Sequence, residues 1–128
     1  MNLVTPLNKV LGLGTAKDGV GHWWGQRLSA VALAFLGLWL VIAILGLGDL
    51  SYASATEWLR APVVSILMIL TLLTLGYHSQ IGVQVVIEDY VHAAGVKVVA
   101  LILSTFAHIA VVVASVFAVL KISFGAGG

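Results

Sequence analysis

The part of the sequence best suited to chemistry is the polar segment at residues 77–92, much of which lies inside one of three apolar runs long enough to cross a membrane. It contains His78, Asp89, Tyr90 and His92. Ionisable side chains at membrane depth are costly and usually face a bundle interior, a cavity or a cofactor. His78 is therefore a candidate for metal ligation, and a hydrogen bond between packed helices is the alternative interpretation.

The spacing between His78 and Asp89 places both on one helical face. They are eleven positions apart, which at about 100° and about 1.5 Å per residue leaves them about 20° apart around the helix and about 16 Å apart along it. With Asp89 and Tyr90 at a membrane surface, His78 then lies near the bilayer midplane. A neutral imidazole at that depth is suited to ligating iron, so the spacing is compatible with a haem site.

Two further residues are candidates for the same site. Arg27 precedes the first apolar run on the side expected for Asp89 and Tyr90, and it could pair with a haem propionate. The alternative is an arginine that extends to the membrane surface. His108 lies near the middle of the third run, so a haem held by His78 and His108 of this one chain is also geometrically open.

Three apolar runs provide the elements that must position these side chains. Lys, Arg, Asp and Glu are absent from residues 28–47, 62–87 and 98–120, and a helix of about 20 residues spans roughly 30 Å of hydrocarbon. Helices are predicted because backbone groups in lipid must bond within their own segment and strand-like alternation is missing. We predict an all-α integral membrane protein, with a single transmembrane domain at residues 1–128 built as a three-helix bundle.

The composition supports a membrane protein and excludes several other classes. Of 128 residues, 61% are apolar and 9% are charged, and the mean hydropathy is +1.13. Such a chain would leave too much apolar surface wet as a soluble domain. Cysteine is absent, which excludes disulfides, thiol nucleophiles and iron–sulfur ligation by this chain. The formal net charge of +1 is scattered and offers no surface for nucleic acid.

The basic residues predict the orientation of the chain. Four are expected on one side of the membrane and two on the other: Lys9, Lys17, Arg27 and Lys97 against Arg60 and Lys121. Basic residues are enriched on the cytoplasmic side, so we expect a cytoplasmic N-terminus and a periplasmic C-terminus. The first long run is already of spanning length, and the N-terminal residues are too poor in Arg and Ser for a transit peptide. We therefore expect no cleavable leader and a bacterial inner (plasma) membrane.

One motif carries a resemblance to a known family. His78, ten intervening residues and then Asp89-Tyr90, with Ile81-Gly82 three and four positions after the histidine, resemble the D-type membrane anchor of succinate dehydrogenase. The three-helix plan of the whole chain is also similar. The resemblance implies a respiratory-chain and tricarboxylic acid cycle complex, in which a second, C-type anchor, an iron–sulfur subunit and a flavoprotein subunit are the partners. FAD and iron–sulfur clusters would lie on the partners, and haem b and ubiquinone at the anchors.

The resemblance also implies roles for individual residues. His78 would be one axial ligand of haem b, with the other from the partner anchor. Tyr90 would donate a hydrogen bond to a ubiquinone carbonyl, and Asp89 would support Tyr90. Three other functions are open. The chain could be the anchor of a fumarate reductase, which runs the succinate–fumarate couple in reverse, a purely structural scaffold, or a small transporter subunit. The absence of charged residues within the spans argues against a transporter.

Several nearby residues are secondary candidates. His22 and Arg27 resemble a basic pair that precedes the first helix in this family. Gln26 and Ser29 are weaker candidates to line the same site, and His92 is expected to be solvated or at a subunit contact.

Overall fold

The computed structural model describes residues 16–125, with side chains from residue 20. It contains four α-helices: α1 at Ala16–Leu45, α2 at Tyr52–Arg60, α3 at Pro62–Tyr90 and α4 at Ala94–Ser123. No strand occurs in this described part of the chain. The prediction of an all-α protein is confirmed.

Three of the helices are long and apolar enough to cross a membrane: Val20–Leu45, Pro62–Tyr90 and Ala94–Ser123, with 26, 29 and 30 residues. At about 1.5 Å per residue they are about 39–45 Å long, so their ends extend beyond a hydrocarbon layer of roughly 30 Å. The three charge-free runs predicted their places. α3 begins at the predicted residue, because Pro62 suits the first turn of a helix, where its missing N–H is not needed.

The first helix begins earlier than predicted. The prediction started it at residue 28, after Arg27, whereas α1 begins at Ala16. A charge-free run underestimates the helix because its first turns lie outside the hydrocarbon layer, where polar side chains are tolerated. His22 and Arg27 therefore lie inside α1 rather than before it. Lys9 and the side chain of Lys17, which were used to predict the orientation, lie outside the described residues.

A short helix between the first two spanning helices was missed by the sequence analysis. α2 has nine residues, and the Ser51 hydroxyl caps it by accepting a hydrogen bond from the Ser54 N–H at 3.2 Å. Hydrogen bonds from Ser51, and then from Ser54, hold the pKa of the Asp49 carboxyl below its usual value. Trp58 stacks on Trp39 of α1, with ring centroids 6.1 Å apart. This aromatic pair attaches α2 to α1.

α3 is the central helix, because it packs against both α1 and α4. Glycines allow both contacts. A Cβ at Gly25 of α1 would lie 2.5 Å from the Tyr77 hydroxyl, and a Cβ at Gly76 would collide with Val112 of α4. Small residues let membrane helices approach closely. Within the described residues α1 and α4 do not pack together, so the bundle is an open row of three helices.

Most of the side chains buried among the described residues carry hydroxyls. Five side chains are buried in the described part, and three of them carry hydroxyls: Ser29, Ser65 and Thr71, with Ile81 and Val119. Each hydroxyl donates to a main-chain carbonyl at 2.5–2.7 Å. Large apolar side chains face outward instead, as expected where the surroundings are lipid or partner helices. The structure is that of a multi-pass membrane protein.

Candidate functional site

His78 lies near the middle of the bundle, where α3 packs against α1. It is the seventeenth of the 29 residues of α3, which places it near the middle of the membrane span. The Nδ1 atom of its partly buried imidazole is 2.9 Å from Ser29 Oγ, and the Nε2 atom is 3.4 Å from Gln26 Nε2. Both ring nitrogens therefore contact α1.

A groove of ≈ 670 Å³ opens next to these contacts, between the N-terminal part of α1 and the C-terminal part of α3. Its polar and small lining residues are His22, Gln26, Gly82, Gln84 and Glu88. Ligand pockets commonly enclose about 300–1,000 Å³, so the groove is large enough for a small molecule or cofactor. Gln26 belongs to both features, since it lines the groove and contacts His78.

A line of hydrogen bonds runs along α3 from Gln80, which faces α4, to Gln84 and Glu88, which line the groove. Gln80 donates its amide to Gln84 Oε1 at 3.3 Å, and Gln84 donates to Glu88 Oε1 at 2.8 Å. Gln80 also contacts Thr105 of α4 at 3.5 Å. Residues four apart share one helical face. These hydrogen bonds therefore connect the α3–α4 contact to the exposed end of α3.

The groove has features that fit a haem. Gly82 follows His78 by one helical turn, and a Cβ at Gly82 would meet only Gln26 Nε2, at 3.8 Å, so the surface there is open to a planar ring. Gln26 Oε1 is buried and has no hydrogen-bond partner among the described residues. No three His, Asp or Glu side chains converge on a metal site in that part of the chain. His78 would be the residue to hold the iron of such a group, and Gln26 links it to the groove, so the residues present fit a haem.

Asp89 and Tyr90, the residues predicted to serve ubiquinone, lie at the end of α3. Tyr90 is the last residue of the helix and is 77% exposed, and Asp89 is also exposed. About 16–18 Å of helix axis separates them from His78. The Tyr90 carbonyl accepts a hydrogen bond from His92 Nδ1–H at 2.9 Å. His92 therefore contacts the main chain at this helix end and lies far from the His78 site.

Arg27 is exposed as well, and its described contact is with an aromatic ring. The guanidinium carbon lies 5.6 Å from the centre of the Trp23 ring, within the range of a cation–π contact. Within residues 20–125 the salt bridge observed joins Arg60 to Glu57, so Arg27 is not paired with Asp89. The proposed ubiquinone and propionate roles of these residues remain predictions.

His108 occupies a separate position between α3 and α4. Its Nδ1 donates to the Ser104 carbonyl of its own helix at 2.7 Å, and its Nε2 accepts from the Ser79 hydroxyl at 3.1 Å. The ring thus makes a hydrogen bond between packed helices. Because His78 contacts α1 while His108 contacts α3, the two imidazoles have different neighbours. The arrangement does not favour a haem held between them.

The residues that contact His78 gave weak signals in the sequence. Gln26 and Ser29 are 52 and 49 positions away from it. Their polar side chains next to Arg27 were the one feature of the sequence that indicated a role near the site. The face of α1 that meets α3 is set by the close approach at Gly25, which periodicity does not reveal in a helix that is apolar on every side.

Comparison with known proteins identifies the class of protein. The family described as succinate dehydrogenase/fumarate reductase transmembrane subunit matches residues 1–120. The succinate dehydrogenase hydrophobic membrane anchor subunit of Paracoccus denitrificans is 30% identical over 126 residues, which is 98% of this chain and 97% of that protein. The protein of the same description from Rickettsia bellii is 37% identical over 84 residues, 65% of this chain and 66% of the relative. The succinate dehydrogenase membrane anchor subunit of Reclinomonas americana is 33% identical over 98 residues, 74% and 82% of the two chains.

The chain belongs to this family of transmembrane subunits. It is a membrane anchor subunit of succinate dehydrogenase, an enzyme complex, and it associates with other subunits of that complex. The membrane and succinate dehydrogenase parts of the sequence interpretation are confirmed. The D type, haem b, ubiquinone and the individual partner subunits stay predictions.

Proposed function

We propose that this chain is the D-type anchor of the complex, that it helps to bind haem b and ubiquinone, and that it couples succinate oxidation to quinone reduction. The observation that carries the proposal is the position of His78. Its imidazole belongs to the seventeenth of the 29 residues of the spanning helix α3, contacts α1 through both nitrogens and neighbours a groove of ≈ 670 Å³. The relatives described above carry the succinate dehydrogenase name, which supports that direction over fumarate reduction.

His78 is the residue proposed to hold the haem iron. When bound, haem b supplies one-electron oxidation and reduction within the membrane. His78 contributes a neutral nitrogen donor, and Gly82 leaves space for a planar ring. Arg27 is exposed in the N-terminal half of α1, the half that lines the groove, and is available to pair with a haem propionate. The C-type anchor would supply the other residue that holds the iron.

Tyr90 is proposed to bind ubiquinone at the membrane surface. A phenol is a neutral hydrogen-bond donor at pH 7, and a donor aimed at a quinone carbonyl stabilises the negative charge that develops there on reduction. Tyr90 is 77% exposed in the single chain, so it is available to a site completed by partner subunits. Asp89 is the adjacent carboxylate that would support Tyr90. Electrons would arrive from the iron–sulfur subunit, after the FAD of the flavoprotein subunit has oxidised succinate.

We place the end of the bundle that carries Glu88 and Tyr90 at the cytoplasmic surface of a bacterial inner membrane. Three crossings put the start of α1 and the loop between α3 and α4 on one side. Basic residues on that side, including Arg27 and Lys97, outnumber those on the other. Lys97 donates to the Glu88 carbonyl at 2.7 Å and so ties α4 to the end of α3.

The proposal is tested by the reduced-minus-oxidised visible spectrum of the complex purified with its partner subunits. The wild type should show a b-type haem band, and His78→Ala should remove or shift it. His108→Ala is the matched control, because that histidine also lies within a span but bonds to Ser79 and Ser104; it should keep the band. If the fully assembled wild-type complex contains no haem, the proposal is wrong and the chain is a purely structural anchor.

A further inference from the structure

The Ser29 hydroxyl is placed to determine which nitrogen of His78 carries the proton. Its Oγ is 2.7 Å from the Gly25 carbonyl oxygen, 3.1 Å from the Gln26 carbonyl oxygen and 2.9 Å from His78 Nδ1. A serine hydroxyl has one proton and two lone pairs, and carbonyl oxygens only accept. The serine proton is therefore donated to the carbonyls. Nδ1 must then supply the proton of the third contact.

The opposite assignment is unfavourable. If Ser29 donated to Nδ1, its oxygen would remain 2.7 Å from the Gly25 carbonyl oxygen with no proton between the two atoms. Ser29 is only 5% exposed, so solvent would do little to screen the repulsion between these lone pairs, and an unpaired buried polar group is costly. The Nδ1–H form of His78 avoids both penalties.

In that form Nε2 carries the lone pair, and Gln26 is in place to donate to it. The two nitrogen atoms are 3.4 Å apart, which is long for a hydrogen bond. The Oε1 atom of the same amide is buried without a partner among the described residues. The amide therefore holds Nε2 weakly. A stronger acceptor of the lone pair can displace it while the Nδ1 contact to Ser29 stays in place.

We propose that Ser29 is a positioning residue, which fixes His78 in the Nδ1–H tautomer and thereby directs the Nε2 lone pair to a haem iron. The iron part rests on the proposed function, whereas the tautomer part rests on these contacts alone. Ligating histidines are generally oriented through their second ring nitrogen, which also sets their basicity. Ser29 and His78 are on different helices, so the ligand becomes oriented only when α1 has packed on α3.

The tautomer is measured by nitrogen NMR of the full chain in lipid nanodiscs, with its histidines labelled with nitrogen-15. Wild-type His78 should show the Nδ1–H form, which is the minor form of free histidine in water. Ser29→Ala should reduce the ratio of Nδ1–H to Nε2–H by about 3- to 20-fold, the range that corresponds to side-chain hydrogen bonds between membrane helices. A wild-type proton on Nε2, or an unchanged ratio in Ser29→Ala, would overturn the proposal.

Two variants serve as comparisons. Ser65→Ala removes another buried serine, 4% exposed, whose hydroxyl bonds to the carbonyls of Leu59 and Ala61; it should leave the His78 tautomer unchanged. Gln26→Leu should also preserve the Nδ1–H form, because Ser29 rather than the amide sets it. A switch to Nε2–H in Gln26→Leu would assign control of the tautomer to Gln26 and contradict the proposal.

The iron part is tested on the assembled complex through haem content and the haem midpoint potential. Ser29→Ala should lose haem or shift its potential, and Ser29→Thr, which keeps a hydroxyl, should recover both. Wild-type haem content and potential in Ser29→Ala, despite an altered tautomer, would refute a role toward iron. Failure of the proposed function has a different signature, since it would leave the haem spectrum unchanged in His78→Ala.

Discussion

Replacing Gly82 by alanine is expected to leave the chain folded while it weakens haem binding. A Cβ at this position meets only Gln26 Nε2 at 3.8 Å, which is an ordinary van der Waals contact. Helix interiors favour alanine over glycine by about 1 kcal/mol. The variant should therefore be at least as stable as the wild type. The added methyl group would occupy part of the groove in which the haem is proposed to lie.

The size of the effect on haem follows from the cost of overfilling a packed site. Extra methyl groups in close-packed surroundings cost about 1–3 kcal/mol, and each 1.4 kcal/mol is a factor of about ten in affinity. The haem affinity of Gly82→Ala should thus fall about 5- to 150-fold. Haem titrated into a complex prepared without it, followed by visible absorbance, measures the affinity. Thermal unfolding of the same preparation measures the stability.

Gly37→Ala is the matched control for this experiment. It makes the same change in the C-terminal half of α1, where an added Cβ has no atom within 4 Å, and Gly37 does not line the groove. It should share any gain in helix stability and keep the wild-type haem affinity. If Gly82→Ala binds haem as tightly as Gly37→Ala, the haem does not lie against Gly82.

Three further predictions concern the quinone end, the helix packing and the second histidine. Tyr90→Phe should lower ubiquinone reduction while sparing succinate oxidation by an artificial acceptor, and equal loss of both activities would contradict a quinone role. Gly76→Ala should weaken the α3–α4 contact, because the added methyl group collides with Val112. The collision should cost about 1–3 kcal/mol of stability, offset by about 1 kcal/mol because alanine favours the helix over glycine. In a Val112→Ala background the collision is removed, so the same change should raise the stability measured by denaturation in lipid. His108→Leu should lose about 0.6–1.7 kcal/mol of stability with its Ser79 hydrogen bond and keep the haem spectrum, and a lost band would favour His108 as a ligand.

The spanning helices could be predicted because the bilayer imposes a length on any apolar helix that crosses it. Their boundaries were less predictable where polar residues continue a helix into the headgroup region. α1 runs through Arg27 and starts at Ala16 for that reason. α2 was missed because a search for runs of about 20 residues passes over a nine-residue helix, although Ser51 at its start is a recognisable cap.

His78 could be singled out from the sequence, since an ionisable residue inside a span is costly unless it has a partner or a function. The residues that contact His78 could not be predicted from the sequence. Ser29 is 49 positions away, and its contact depends on the backbone approach at Gly25, which is a property of the packed helices. Asp89 and Tyr90 lie at the end of α3, and surfaces from other subunits would be needed to complete a quinone site there.

Ligation of haem iron by His78 is tested most directly by electron–nuclear double resonance of the oxidised complex. This chain would carry nitrogen-15 in its histidines, and its partner subunits would be unlabelled. We predict a coupling from one nitrogen-15 axial ligand, retained in His108→Leu and absent in His78→Ala. A wild-type complex that contains haem but shows no nitrogen-15 coupling would contradict ligation by this chain.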